Sequence, residues 1–340
     1  MINFFLVISV ILLNFLIIYF YQPISRLFNL FDYPDYKRKI HNKPIPLIGG
    51  LMLVTNLIVI LLFNIFFSHL IDINFFGSIN NYYFFFIVLI FFFAIGYLDD
   101  KYQINANSKL LFTSLCILLL MHFDENILLK NINLSFTNYT LHLRNLSYFV
   151  TLICFLLFIN AFNMLDGING QVTLYAIFIF VILIFNQVLP LYISLLVIMF
   201  LFFLVLNLKN KAFLGDSGSL PLGYMISYIF LRSYNNFGDI FLADEIFLIM
   251  SIPGYELLRL AIQRIINKKH PFFPDNNHIH HLLIKKYKPL KTMFIIQLIL
   301  VAPYFFYLLT HNFFFSFLFS LIIYVLVIYI FNKIKNNIYV

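Results

Sequence analysis

The sequence predicts an all-α, polytopic integral membrane protein, and three observations carry that prediction. Hydrophobic residues fill 62% of the 340 positions and charged residues only 11%, less than half the charge of an ordinary soluble domain. Mean hydropathy is +0.94. Apolar runs of about 20 residues, the length needed to cross a bilayer as helix, recur from one end of the chain to the other. Backbone polar groups find no partner in lipid outside a helix or a closed barrel, so runs of this length are read as helices.

Eleven spans are expected, at 2–21, 47–69, 82–98, 108–122, 146–164, 171–186, 188–207, 217–232, 244–264, 292–310 and 313–332. The first lacks a basic leader and a small-residue cleavage site, so it reads as a retained helix. Lys and Arg fix the sidedness. The loops 22–46, 99–109, 165–170, 208–216 and 264–291 and the tail from 333 hold 18 of the 22 basic residues. Positive residues stay in the cytoplasm, which puts the N-terminus outside and the C-terminus inside. The whole chain reads as one membrane domain with its polar loops on the cytoplasmic side. The net charge of +8 then marks orientation or an anionic substrate, and nucleic acid is not expected as a partner. Cys116 and Cys154 sit in apolar runs and read as packed thiols.

Five polar clusters interrupt these runs, all in the cytoplasmic set. The stretch GYLDDKYQINANSK (96–109) ends the third span on Asp99 and Asp100. Adjacent carboxylates repel unless a cation offsets them, and Lys109 at the next helix entrance is placed to face the same pocket and hold a phosphate. In NAFNMLDGINGQ (160–171), Asn160 and Asn163 share a helical face and Asp166, Asn169 and Gln171 follow. A capped turn accounts for one or two of these residues. Five hard oxygen or amide groups together suit Mg²⁺, a base or a ribose.

FLGDSGS (213–219) sets Asp216 between glycines. The final Gly of a serine-protease GDSGG is missing and the site is a membrane mouth. A metal-binding Asp216, with Gly215 and Gly218 letting backbone approach a phosphate, is the better reading. KKHPFFPDNNHIHHLL (268–283) carries His278, His280 and His281. Without thiolates or a fourth ligand this is a weak zinc pattern, whereas imidazoles suit a pyrophosphate. YKRKIHNKPIPLIGG (36–50) adds His41 in a basic run, which is an orienting charge by default and a phosphate clamp in the sharper reading. Glu256 and Arg259, inside the ninth expected span, are functional candidates with each other as partners.

Taken together, RKIHNKPIPLIGG, GYLDDKYQINANSK, NAFNMLDGING, FLGDSGS and PDNNHIHHLL resemble, in order and over residues 38–283, the polyprenyl-phosphate N-acetylhexosamine-1-phosphate transferases of the glycosyltransferase 4 group. HIHH leans toward the GlcNAc-1-phosphate branch. The resemblance implies that a UDP-N-acetylhexosamine, GlcNAc favoured, donates its sugar 1-phosphate to undecaprenyl phosphate. UMP is released with Mg²⁺ as cofactor and Mn²⁺ as its substitute, beginning a cell-envelope polysaccharide at the bacterial inner membrane. It implies metal ligation at Asp216 and Asn163, an acidic pair acting on the lipid phosphate at Asp99 and Asp100, and nucleotide contacts at Asn160 and Asp166. It further implies diphosphate or sugar contacts at His278, His280 and His281, basic positions near the phosphates at Lys109 and His41, and a homodimer among membrane lipids. The family often has Asp where this chain has Glu256. A transporter or flippase for an anionic lipid or nucleotide sugar is the rival reading. It calls for polar groups at mid-membrane and internal repeats, and no clear repeat is seen.

Overall fold

The computed structural model describes residues 2–34, 43–67, 71–137, 139–236, 241–271 and 277–338, with side chains through 330. His41 lies outside the described residues. Fourteen α-helices follow one another along them: α1 (Ile2–Tyr19), α2 (Tyr21–Phe28), α3 (Gly49–Phe66), α4 (Ile73–Phe76), α5 (Ile79–Tyr102), α6 (Ala106–Phe123), α7 (Ser147–Leu165), α8 (Gln171–Phe185), α9 (Pro190–Leu208), α10 (Asp216–Asn236), α11 (Ala243–Ile266), α12 (Ile279–Ile284), α13 (Pro289–Thr310) and α14 (Phe313–Ile338). Two short antiparallel ribbons accompany them. Phe31–Asp32 (β1) pairs with Ile45–Pro46 (β2), and Asn131–Ile132 (β3) with Leu141–His142 (β4).

Within the described residues, each of the eleven expected spans holds a helix. Among the described residues, eight helices are long and apolar enough to cross a membrane: α1, α3, α5, α6, α7, α9, α13 and the first part of α14. Their outer faces carry large exposed apolar side chains such as Phe4, Phe15, Phe149 and Leu309. Water would not tolerate so much apolar surface, whereas lipid does. The other three expected spans differ from the eight. The helix α8 is only 15 residues long. The helices α10 and α11 each carry a proline and several polar residues.

The helix α10 differs most, because it is not a lipid-facing span. It is buried continuously from Ser217 to Tyr234 and packs against α5, α7 and α3. Its apolar residues are satisfied by neighbouring helices, so it tolerates Ser217, Ser219, Ser227 and Ser233 inside the protein. Close approach depends on small residues, as is usual where helices meet in membranes. A Cβ on Gly50 would meet Ser217 and Gly218 backbone at 2.4–2.6 Å, and one on Gly96 would meet Asp216 O at 2.2 Å. The start of α3 is stitched to the turn before α10, where Gly49 N donates to Phe213 O at 3.1 Å and Phe213 N to Pro46 O at 2.9 Å. The PLIGG and FLGDSG stretches are therefore back to back.

The far end of α10 is locked by a buried ion pair. Arg232 and Asp124 are 1% and 0% exposed and meet at 2.9 Å. Asp124 also accepts from Asn81 (3.0 Å) and Tyr228 (2.8 Å), and Arg232 Nε donates to Phe75 O at 2.6 Å. Each buried charge thus has several partners, the condition under which such a pair is tolerated.

Candidate active site

Four local folding decisions bring the clusters together at the near end of α10. The helix α5 stops at Tyr102 because Gln103 takes a left-handed conformation. Asn105 then caps α6, its side chain accepting from Asn107 N at 3.2 Å. This tight reversal returns Lys109 toward Asp99, and the two meet at 2.8 Å. Gly215, at φ +71°, turns the chain into α10, and a Cβ there would sit 2.7 Å from Asp100 Oδ2. Asp100 accepts from Asp216 N at 2.8 Å and Ser217 N at 2.9 Å, so one carboxylate of the acidic pair caps the helix that carries Asp216.

Asp216 stands at the centre. Lys109 Nζ donates to its Oδ2, and Asn163 Nδ2 donates to its Oδ1 at 2.8 Å and to Ser219 Oγ at 3.0 Å. Burial opposes its charge, yet Lys109 and these hydrogen bonds hold Asp216 below the usual carboxylate range. Asp166, at the end of α7, has the opposite fate. Burial, then repulsion from Asp216 and Asp100, raises its carboxyl to about 8. Asp99, Asp100, Asp166 and Asp216 thus crowd one space.

The histidines close the other side. His278 precedes α12 as its N-cap residue, and the three rings cluster, at 4.3 Å between His280 and His281 and 5.2 Å between His278 and His280. His280 is buried against Gly167, where a Cβ would lie 2.1 Å from its Nε2. The glycine of NMLDGING is therefore a seat for the middle imidazole. Burial, and then its two histidine neighbours, lower the pKa of His280 well below the ordinary 6.5, so it is neutral.

All of the described candidates line one cavity of about 1400 Å³: Asp99, Asp100, Lys109, Asn160, Asn163, Asp166, Asp216, His278, His280 and His281. Asn160 turns its amide back onto its own helix, donating to Leu156 O at 2.7 Å. Several lining residues escaped the sequence reading. Asp32, Lys43, Lys211, Arg264 and Lys288 add charge to the walls. Asn207 accepts from Gly170 N and donates to Ala212 O, and Asn169 donates to Asn210, so the 207–213 turn braces the loop that carries Asp166. Polar Asn207 at the end of an apolar run was the available signal. Glu256 and Arg259 pair as expected at 2.8 Å, outside this cavity.

Fold and site together define a multi-pass membrane protein whose polar loops build one deep cavity of carboxylates, amides, imidazoles and lysines. The resemblance drawn from the motifs is borne out by comparison with known proteins. Residues 82–234 match the family model of glycosyl transferase family 4. Undecaprenyl-phosphate alpha-N-acetylglucosaminyl 1-phosphate transferase of Thermotoga maritima is 29% identical over 266 residues, covering 78% of this chain and 76% of that protein. The enzyme of the same name from Escherichia coli K12 is 26% identical over 293 residues, covering 82% and 75%. A probable undecaprenyl-phosphate N-acetylglucosaminyl 1-phosphate transferase of Bacillus subtilis is 28% identical over 260 residues, covering 74% and 69%.

Proposed function

We propose that this protein transfers N-acetylhexosamine-1-phosphate, GlcNAc-1-phosphate in first place, from a UDP-sugar to undecaprenyl phosphate, releasing UMP. The observation that carries the reading is the convergence of Asp99, Asn163, Asp216, Lys109 and the three histidines on one cavity. The names of the relatives supply the substrate class. The reaction belongs at the cytoplasmic face of the bacterial plasma membrane, where 18 of 22 basic residues are expected.

In this reading an oxygen of the lipid phosphate attacks the β-phosphorus of the nucleotide sugar. The bond from that phosphorus to the UMP oxygen breaks, and UMP leaves with the electron pair. Lys109, already between Asp99 and Asp216, neutralises phosphate oxygens as they enter. Asp99 accepts the proton of a monoprotonated acceptor. Asp100 is less suited to that task, because both its oxygens already accept backbone N–H groups. His278 and His281 line the donor side, while neutral His280 sets their positions from its seat on Gly167.

The donor set suits Mg²⁺. Asp99, Asp100, Asp166 and Asp216 line one cavity beside Lys109, and a divalent cation would offset the repulsion among such crowded carboxylates. Among the described residues no group of three or more His, Cys, Asp or Glu forms a ready metal cage. Mg²⁺ does not ask for one, since it binds through one or two protein oxygens plus substrate phosphates and water. Asp216 and Asn163 would hold it, and when bound it supplies charge neutralisation on the diphosphate.

The decisive experiment measures UMP release from UDP-GlcNAc by the purified protein, with and without added polyprenyl phosphate and across a panel of UDP-sugars. Release that needs the lipid supports the transferase, and lipid-independent or absent release overturns it. Asp216→Asn is expected to lower transfer by about 10²–10³-fold, the scale of losing a group that stabilises transition-state charge.

A further inference from the structure

We infer that Glu256, Arg259 and Tyr324 form a positioning node that sets the register of the histidine segment and so tunes affinity for the sugar-nucleotide donor. The inference rests on the reading that His278 and His281 contact the donor.

The helix α12 begins at Ile279, and its N-cap residue His278 makes no side-chain capping bond. A first N–H without a partner is unfavourable in a buried setting. Glu256, on a different helix, provides the partner, its Oε1 accepting from Ile279 N at 2.9 Å. Arg259 grips the other side of the same residue, donating from Nη2 to Asn277 O at 2.8 Å. The backbone on both flanks of His278 is therefore held by one ion pair.

That pair is itself fixed. Arg259 binds Glu256 through Nη2 (2.8 Å) and Nε (3.0 Å), a two-pronged contact. Tyr324 of α14 donates to Glu256 Oε2 at 2.8 Å and accepts from Arg259 Nε at 3.0 Å. The carboxylate thus has four donors and lies 7% exposed. A role limited to joining α11 and α14 would leave the bonds to 277 and 279 unexplained. None of the three side chains lines the cavity, so they act through the histidines.

Glu256→Ala would leave a half-buried arginine unpaired, so the milder Tyr324→Phe and Arg259→Lys carry the test. Full-length protein in detergent is assayed with UDP-GlcNAc and polyprenyl phosphate, and UDP binding is measured by calorimetry without the lipid. Both variants are expected to raise the donor KM and the UDP Kd about 3- to 10-fold, while the acceptor KM and the Tm stay within twofold and about 2 °C. Tyr324→Phe added to His281→Asn is expected to cost nothing beyond His281→Asn alone, as coupled residues do. An unchanged donor KM, an equal rise in both KM values, or full additivity would overturn the inference. Lack of lipid-dependent UMP release by the unaltered protein would instead overturn the transferase reading.

Discussion

A single hydrogen atom at Gly167 decides whether the middle histidine has a place to sit. Any Cβ there would collide with the imidazole of His280 at 2.1 Å, and the ring has little room to retreat because it is buried. Gly167→Ala is therefore expected to cut transfer at least tenfold while the purified protein keeps its helical circular dichroism. Transfer within twofold of the unaltered protein would show that the seat is dispensable. The structure gives Gly167 a purpose in close contact with a residue more than a hundred positions away, which no local pattern announces. Asp99, Lys109, Asp166 and Asp216 were legible because charge in an apolar chain is costly and calls for a reason, and Asn163 because it stands in a cluster of polar groups. The capping of α10 by Asp100 and not Asp99 was not, since it depends on which carboxylate meets the N–H groups of that helix.

Among elements, α12 and α10 show how short or unusual helices line the candidate site. On α12, neutral His280 makes folding sensitive to acid. The pKa of His280 is lowered on folding, so below about pH 6.5 the unfolded chain binds the proton that the folded chain refuses. Stability is then expected to fall as pH drops below 6.5 and to level off above it. His280→Gln should flatten that acid limb in a thermal-shift series from pH 5 to 8, and an unaltered slope would refute the assignment. The helix α10 was expected as an ordinary span. Hydropathy reports only that apolar residues avoid water, and cannot tell lipid from the flanks of α3, α5 and α7. Its serines and glycines were the available hint that protein surrounds it.

At the scale of the whole molecule, each of the eleven expected segments holds a helix within the described residues, and positive-residue bias is the ground for proposing that the cavity faces the cytoplasm. Cysteines introduced at Lys211 and Lys285 are expected to react with a membrane-impermeant thiol reagent only after the cells are opened, and one at Thr137 from outside. The reverse pattern would invert the topology and the proposed site with it. The fold class was readable because lipid imposes length and composition so strictly. Tertiary neighbours, such as PLIGG against FLGDSG, were beyond reach because they arise from contacts between distant segments.

The ion pair of Arg232 and Asp124 has a consequence for the other end of the molecule. The helix α10 is a rod with Asp216 at its tip and Arg232 about 24 Å further along, at 1.5 Å per residue. Smooth small-residue flanks would let such a rod slide, and the anchor stops it. Arg232→Met is expected to destabilise the protein by about 3–5 kcal/mol by stranding Asp124, as read from its unfolding midpoint. In molecules that stay folded, transfer should weaken too, because the tip then wanders from Lys109 and Asn163. A lesion remote from every substrate would thus masquerade as an active-site defect, and an intact rate in a destabilised Arg232→Met protein would show that the rod is held elsewhere.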